Sequence, residues 1–411
     1  MTAASHSVID PVELTRDLIR IPSVTPADEG AMDVLERTLT GLGFTCRRMV
    51  FEGPTGVGHD ARIENLYARR GTASPNLCFA GHTDVVPTGD VAAWTALPFE
   101  GETRDGILYG RGAVDMKGGI AAWVAAVSRI LAEGEVPGSL SFLITGDEEG
   151  PALHGTKRVV EALAAEGEVI DACVVGEPSS AHHLGDMIKV GRRGSLNTWI
   201  TVHGKQGHVA YPDRAANPAP VIAKLLARLD AHVLDEGYPS LDANAPLAER
   251  DCVIVGFPPS NLEITTIDVG NPATNIIPAE AKARLNIRFN PTHTGDGLID
   301  WLNREAGLVQ AETGLRIELE HMCSGEAFLT EPGVFVTAVQ DAVEASLGRR
   351  PEASTTGGTS DARFIRALCP VLELGLVGQT MHQVDERVPE AELRALTDAY
   401  QAVIGTVFER L

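Results

Sequence analysis

Positive charge is scarce in this chain. Its 411 residues include 34 Lys and Arg against 56 Asp and Glu, a formal charge of −22 at pH 7. Nucleic acids and anionic membranes are held by clustered positive charge that displaces counterions, so neither is expected as a partner. Long apolar runs are also missing. The best candidate, residues 118–132, is broken by Ser128 and Arg129, and falls short of the roughly 18 uninterrupted apolar residues that mark a bilayer span. The six cysteines, Cys46, Cys78, Cys173, Cys252, Cys323 and Cys369, are scattered and form no CxxC pair. That argues against a thiolate metal site or redox motif and fits reduced cytosolic thiols. Residues 1–20, MTAASHSVIDPVELTRDLIR, carry acids where a secretory signal has a basic start and an apolar stretch, so a cytoplasmic protein is expected. No GxSxG elbow and no Walker loop occur, which argues against a serine hydrolase and an NTPase. The stretch GRGAVD at 110–115 lacks the third glycine of a dinucleotide fingerprint.

What is present is an ordinary globular composition, 44% hydrophobic and 22% charged. At roughly 150 residues per domain, the length predicts two or three domains. Asp10-Pro11-Val12-Glu13 reads as a helix start, with an N-cap acceptor, an N1 proline and a glutamate three residues on. Apolar runs at 76–80, 140–145 and 170–175 alternate with helical patterns near 117–133 and 155–166. This βαβ rhythm predicts an α/β fold, a sheet covered by helices. After Gly194 the texture changes. A strand at 196–202, a helix near 216–230 and β-rich stretches around 252–256, 262–269 and 281–289 predict a separate α+β unit, closed by the turn Phe289-Asn290-Pro291-Thr292. Helices near 296–312, 333–347 and 390–408, with a strand near 314–320, are expected to return the chain to the first domain. The division is thus 1–193 with 292–411, interrupted by 194–291.

Each early apolar run ends in a polar cluster: Gly81-His82-Thr83-Asp84, Gly146-Asp147-Glu148-Glu149 and Gly176-Glu177-Pro178. Ligand sites of open α/β sheets lie at the carboxyl ends of strands, so these clusters should converge. With Asp115 of Asp115-Met116-Lys117-Gly118 they offer imidazole and carboxylate donors without thiolate. That set suits a hydrolytic Zn²⁺ or a similar divalent ion, and gathered carboxylates need such a cation to offset them. The spacing in His82-Thr83-Asp84 lets Asp84 accept from the imidazole and set its tautomer from behind.

These blocks resemble the di-zinc aminoacylase/carboxypeptidase superfamily of metallopeptidases. The resemblance runs over nearly the whole chain: FAGHTDVVPTGD at 79–90, LYGRGAVDMKGG at 108–119, GDEEGPALHGT at 146–156, VVGEPSS at 174–180 and MHQVDERV at 381–388. LGDMIKVGRRGSL at 184–196, GKQGHVAYP at 204–212 and STTGGTSDARF at 354–364 narrow it to a desuccinylase branch. The resemblance implies a catalytic domain of the zinc-exopeptidase type and a smaller lid and dimerisation domain, hence a homodimer. It implies two divalent ions per subunit, Zn²⁺ or Co²⁺, with Asp115 bridging, His82 and Glu177 completing one site, and Glu149 and His382 the other. Glu148 is then the general base, Asp84 the group behind His82, and His208 an oxyanion-stabilising residue that reaches the partner's site.

The implied reaction is hydrolysis of N-succinyl-LL-2,6-diaminopimelate to succinate and LL-2,6-diaminopimelate, with acetylornithine deacetylase or a related N-acyl-amino-acid amidohydrolase as the alternative. A catalytically silent binding protein of the same fold would have little reason to keep the full ligand set with Glu148. An anionic substrate calls for arginine forks. Arg192, Arg193 and Arg288 are candidates, Arg192 and Arg193 being an even choice because neighbours point apart. They are joined by Asn275, Tyr211 and the turn Thr356-Gly357-Gly358-Thr359. Thr274 stands where relatives carry the first of two asparagines, and the stretch 238–255 is longer than the family pattern, an expected addition to the lid.

Overall fold

The computed structural model describes residues 8–54, 60–237 and 256–411. An eight-stranded mixed sheet runs in the order Thr45–Pro54, Asp60–Arg70, Ser139–Thr145, Asn76–His82, Ala172–Val175, Val371–Glu373, Met187–Lys189, Glu352–Ser354. The four strands from Ser139–Thr145 to Val371–Glu373 are mutually parallel. Every residue of Asn76–His82, Ser139–Thr145 and Ala172–Val175 is buried, because helices cover both faces, and this is why they read as unbroken apolar runs. The two-residue period of the strand sends neighbours to opposite layers. Phe79, Phe142 and Val174 pack with Trp123 of helix Lys117–Glu133 and Tyr400 of helix Glu390–Arg410. Cys78, Leu143 and Cys173 pack with Val159 and Leu163 of helix Thr156–Glu166.

The first helix, Pro11–Ile19, starts as expected, with Asp10 accepting from the Val12 amide. Glu13, however, pairs with Arg16. The far end of this helix is closed by a fully buried lysine. Lys117 donates to the carbonyls of Leu18 and Ile21, both at 2.9 Å, and so fastens it to the helix that follows Asp115.

The second unit is a four-stranded antiparallel sheet in the order Asn261–Asp268, Glu280–Phe289, Gly194–His203, Arg316–Gly325. Helices Pro218–Asp230 and Gly295–Thr313 cover one face through Leu225, Leu226, Leu298 and Leu302, which meet Leu196, Ile200, Leu285 and Ile287. Among the described residues no helix covers the opposite face, where Trp199 is 38% exposed. The expected return to the first domain at residue 292 is corrected here. Helix Gly295–Thr313 belongs to the second core, and Arg316–Gly325 pairs along the length of Gly194–His203, so this unit extends to 325. The turn at 289–292 is a corner between a strand and its covering helix. Asn290 ties it, donating to Asp235 at 2.7 Å and accepting from the Thr292 amide at 2.9 Å. The stretch 238–255 lies outside the described residues. No helix among the described residues is long and apolar enough to cross a membrane.

Candidate metal centre

The parallel strands deliver the polar clusters to one edge. His82 ends its own strand, Glu148 and Glu149 follow Ser139–Thr145, and Glu177 follows Ala172–Val175. Asp115 comes from the turn before helix Lys117–Glu133, and His382 from the loop before strand Arg387–Pro389. The carboxylate of Asp115 stands between two imidazoles. Its Oδ1 lies 3.1 Å from His82 Nε2, and its Oδ2 lies 3.1 Å from His382 Nε2. Glu177 Oε1 is 3.7 Å from His82 Nε2, and Glu149 Oε1 is 2.8 Å from His382 Nε2. Donor atoms of His82, Asp115 and Glu177 lie within 4.8 Å of one another, as do those of Asp115, Glu149 and His382, and those of His82, Glu148 and Glu149. An isolated histidine such as His382 carries no local sequence signal. Its backbone stands in the left-handed region at φ 60°, a conformation that side chains other than glycine's adopt under constraint.

Asp84 takes a different part from the expected one. His82 Nδ1 donates to the main-chain carbonyl of Asp84 at 2.8 Å, while the Asp84 carboxylate is 3.7 Å away. The tautomer is therefore set by backbone, which leaves Nε2 facing Asp115. The Asp84 carboxylate accepts the amides of Glu148 and Glu149 at 3.2 and 3.0 Å, so it shapes the turn that presents both glutamates. Burial pushes Asp84 up to about 6.

The electrostatics show what this donor set requires. Hydrogen bonds with Asp115 and Glu149 push His382 up to about 10. Burial works against a charged His82, but Asp115 and Glu177 hold it well above the ordinary imidazole value. Burial likewise opposes the charge on Asp115, yet His382 and His82 keep its carboxyl well below the usual range. Glu148 and Glu177 are driven well up, by burial first and then by surrounding carboxylates. Without a metal, protons supply the positive charge that four crowded carboxylates need. Buried oxygen and imidazole donors of this kind fit divalent cations, and a carboxylate whose two oxygens face two separate clusters fits a pair.

The substrate-binding candidates divide. The Arg192 fork is already taken. It grips Glu373 through both Nε and Nη2, the Nε contact at 2.8 Å, and donates to the Thr356 carbonyl at 3.1 Å. Ser360 also donates to Glu373. Arg192 is corrected from an open anion fork to a buried brace beneath the Thr356–Thr359 turn, and Gly357, at φ 105°, has no room for a Cβ above it. Glu373 was not among the candidate residues. Its signal is an acid inside the apolar run Val371–Leu374, which requires a buried partner. Arg193 and Arg288 have no carboxylate partner among the described residues. Arg193 donates to Asn261 at 3.1 Å, Arg288 to Thr359 at 3.4 Å. Burial and the charge of Arg193 hold Arg288 below its ordinary value. Thr356 receives Lys189 Nζ at 2.8 Å, and Gly357 and Gly358 are exposed.

His208, Tyr211 and Asn275 gather elsewhere, on the second unit. Strand pairing of His208 with Ile276 brings them together, Val209 donates to the Asn275 carbonyl at 3.1 Å, and the rings of His208 and Tyr211 are 5.9 Å apart. All three are exposed. Among the described residues, no hydrogen bond or ion pair links them to the metal-binding side chains.

The chain belongs to peptidase family M20/M25/M40, whose family model matches residues 78–406. A succinyl-diaminopimelate desuccinylase of Caulobacter vibrioides (strain NA1000 / CB15N) is 63% identical over 402 residues, 97% of this chain and 96% of its own. The M20 family metallo-carboxypeptidase Sso-CP2 from Sulfolobus solfataricus superposes with a TM-score of 0.74 at 17% identity, over 98% of this chain and 99% of its own. The Bacillus subtilis YXEP protein, a dinuclear metal-binding peptidase of the M20 family, superposes with a TM-score of 0.69 at 16% identity, over 98% of each chain. Family and donor set together make this site a dinuclear centre for divalent metal ions.

Proposed function

We propose that this chain is a succinyl-diaminopimelate desuccinylase, a metal-dependent amide hydrolase. It converts N-succinyl-LL-2,6-diaminopimelate and water to succinate and LL-2,6-diaminopimelate, a cytoplasmic step towards diaminopimelate and lysine. The observation that carries the reading is Asp115, its two oxygens facing His82 and His382, with Glu148 beside them and outside both pairings. The extent and level of identity to the Caulobacter relative choose this substrate over N-acetylornithine.

His82, Asp115 and Glu177 hold one cation, Asp115, Glu149 and His382 the other, with Zn²⁺ the natural occupant and Co²⁺ a substitute. Such a pair supplies Lewis acidity, polarising the amide carbonyl and bringing the pKa of a nearby water towards neutrality. The carboxylate of Glu148 makes no hydrogen bond or ion pair among the described residues, and burial raises its proton affinity. It therefore takes the proton of the attacking water and returns it to the leaving amine nitrogen. Arg193 and Arg288 receive carboxylates of the substrate, with Thr359 and the exposed Gly358 beside them. The second unit acts as lid and dimer interface. His208 Nδ1 accepts the Ala210 amide at 3.1 Å, which directs Nε2 outwards, towards the oxyanion of a partner's substrate, with Tyr211 and Asn275 alongside.

The test is a product analysis on metal-loaded protein offered N-succinyl-LL-2,6-diaminopimelate and N-acetylornithine in parallel. Equal yields of succinate and LL-2,6-diaminopimelate are expected. Intact succinyl substrate beside cleaved N-acetylornithine would overturn the assignment.

A further inference from the structure

Asp115 and His382 come from segments far apart in the chain, and one buried carboxylate outside the ligand set holds the two together. Glu386 has no exposed surface. Its Oε1 accepts the amides of Val114 and Asp115 at 2.9 and 3.1 Å. Its Oε2 accepts the Gly112 amide at 3.0 Å and Arg111 Nη1 at 2.7 Å, and its own carbonyl accepts the Gly110 amide at 2.9 Å. Arg111, 2% exposed, donates in turn to the Gln383 carbonyl at 3.2 Å, next to His382, and to Pro87 at 3.3 Å. Its guanidinium lies over the Trp94 ring, 5.3 Å from the centroid.

A buried ion pair is a poor source of stability unless further hydrogen bonds complete it, and replacing one by apolar groups is often neutral. Here the completion has a direction. Three of the four donors to the Glu386 carboxylate are successive or near-successive amides of the turn that ends in Asp115, and the remaining donor reaches across to the His382 loop. Among the described residues, neither Glu386 nor Arg111 makes a hydrogen bond or ion pair with a donor atom of the centre, so they act on it through the backbone they hold.

We propose that Glu386, paired with Arg111, is a positioning residue for the dinuclear centre. It sets the main chain of residues 112–115 and couples it to the loop bearing His382, so that the two Asp115 oxygens face the two imidazoles at once. This rests on the metal-centre reading and is independent of the substrate.

Two variants test it by Co²⁺ titration and the visible absorption spectrum of the bound ion, with no substrate present. Glu386→Asp keeps the charge pair and withdraws the acceptor by one methylene. Arg111→Met/Glu386→Gln leaves no unpaired charge to disturb folding and removes at least one of the three amide acceptances. Both are expected to bind Co²⁺ roughly 10–100-fold more weakly, the range for residues that orient metal ligands from behind, and to show an altered spectrum, while still unfolding cooperatively. A merely structural pair would lower the melting temperature and leave affinity and spectrum unchanged, and that result in either folded variant overturns the proposal. Failure of the desuccinylase assay would leave these titrations unaffected, so the two readings fail separately.

Discussion

The chemistry on the mixed sheet and the chemistry on the second unit are built in opposite ways. On the sheet, His82, Asp115 and Glu177 are buried, contact one another, and hang from strand ends and amide-anchored turns. On the second unit, His208, Tyr211 and Asn275 are exposed and gather around the short pairing of His208 with Ile276, and Tyr211 is 52% open to solvent. Crowded carboxylates can be held only where donors and counter-charges are already in place, so the metal centre must be complete within the fold. A group needed only at the transition state can wait on a mobile or partner-borne surface until closure brings it in.

Substitutions can break this contrast. Glu148→Gln should lower kcat by about 10²–10⁴, the usual reach of a general acid-base group, while metal content by atomic emission stays at the wild-type level. Loss of metal along with activity would place Glu148 among the ligands instead. Arg192→Ala should act on stability, leaving Glu373 buried and unpaired at a loss of about 3–5 kcal/mol, read as a lower urea midpoint. His208→Ala should reduce kcat by about 10²–10³, the effect of one oxyanion donor, with stability and metal content unchanged. An unaltered kcat would remove His208 from the reaction.

Arg288→Ala should raise KM by about 10- to 100-fold with an unchanged melting temperature, since a charged hydrogen bond contributes about 1.5–3 kcal/mol. The opposite outcomes for Arg192 and Arg288 separate a brace from an open fork. A further effect is one of pH. In metal-free protein His382 titrates at about 10, so it is protonated through pH 6–9 and metal must displace that proton. Apparent metal affinity should therefore rise with pH, by about tenfold per unit for each proton released, and level off above His382's own pKa. Calorimetry in buffers of different ionisation enthalpy would count the protons.

The same contrast explains what the sequence disclosed. Strands buried on both faces leave unbroken apolar runs, and their polar endings at His82, Glu148 and Glu177 mark one edge of the sheet, so half of the centre could be read from pattern. His382 could not, because a single histidine in a loop has no periodicity, and it entered through resemblance alone. The boundary at 292 misled because a proline-containing corner looks alike inside a domain and between two. The choice between Arg192 and Arg193 turned on where Glu373 lies, a tertiary contact spanning 181 positions. The role of Asp84 differed because a backbone carbonyl, invisible to residue spacing, reached the imidazole first.

The central claim is that Asp115 is shared between two cations. Equilibrium dialysis of the metal-free protein against Zn²⁺, followed by metal analysis, tests it most directly when wild type is compared with Asp115→Ala. The account predicts two ions per chain in the wild type and weakened binding at both positions in the variant. One ion per chain, or a variant that loses a single ion and keeps the other at wild-type affinity, would contradict it.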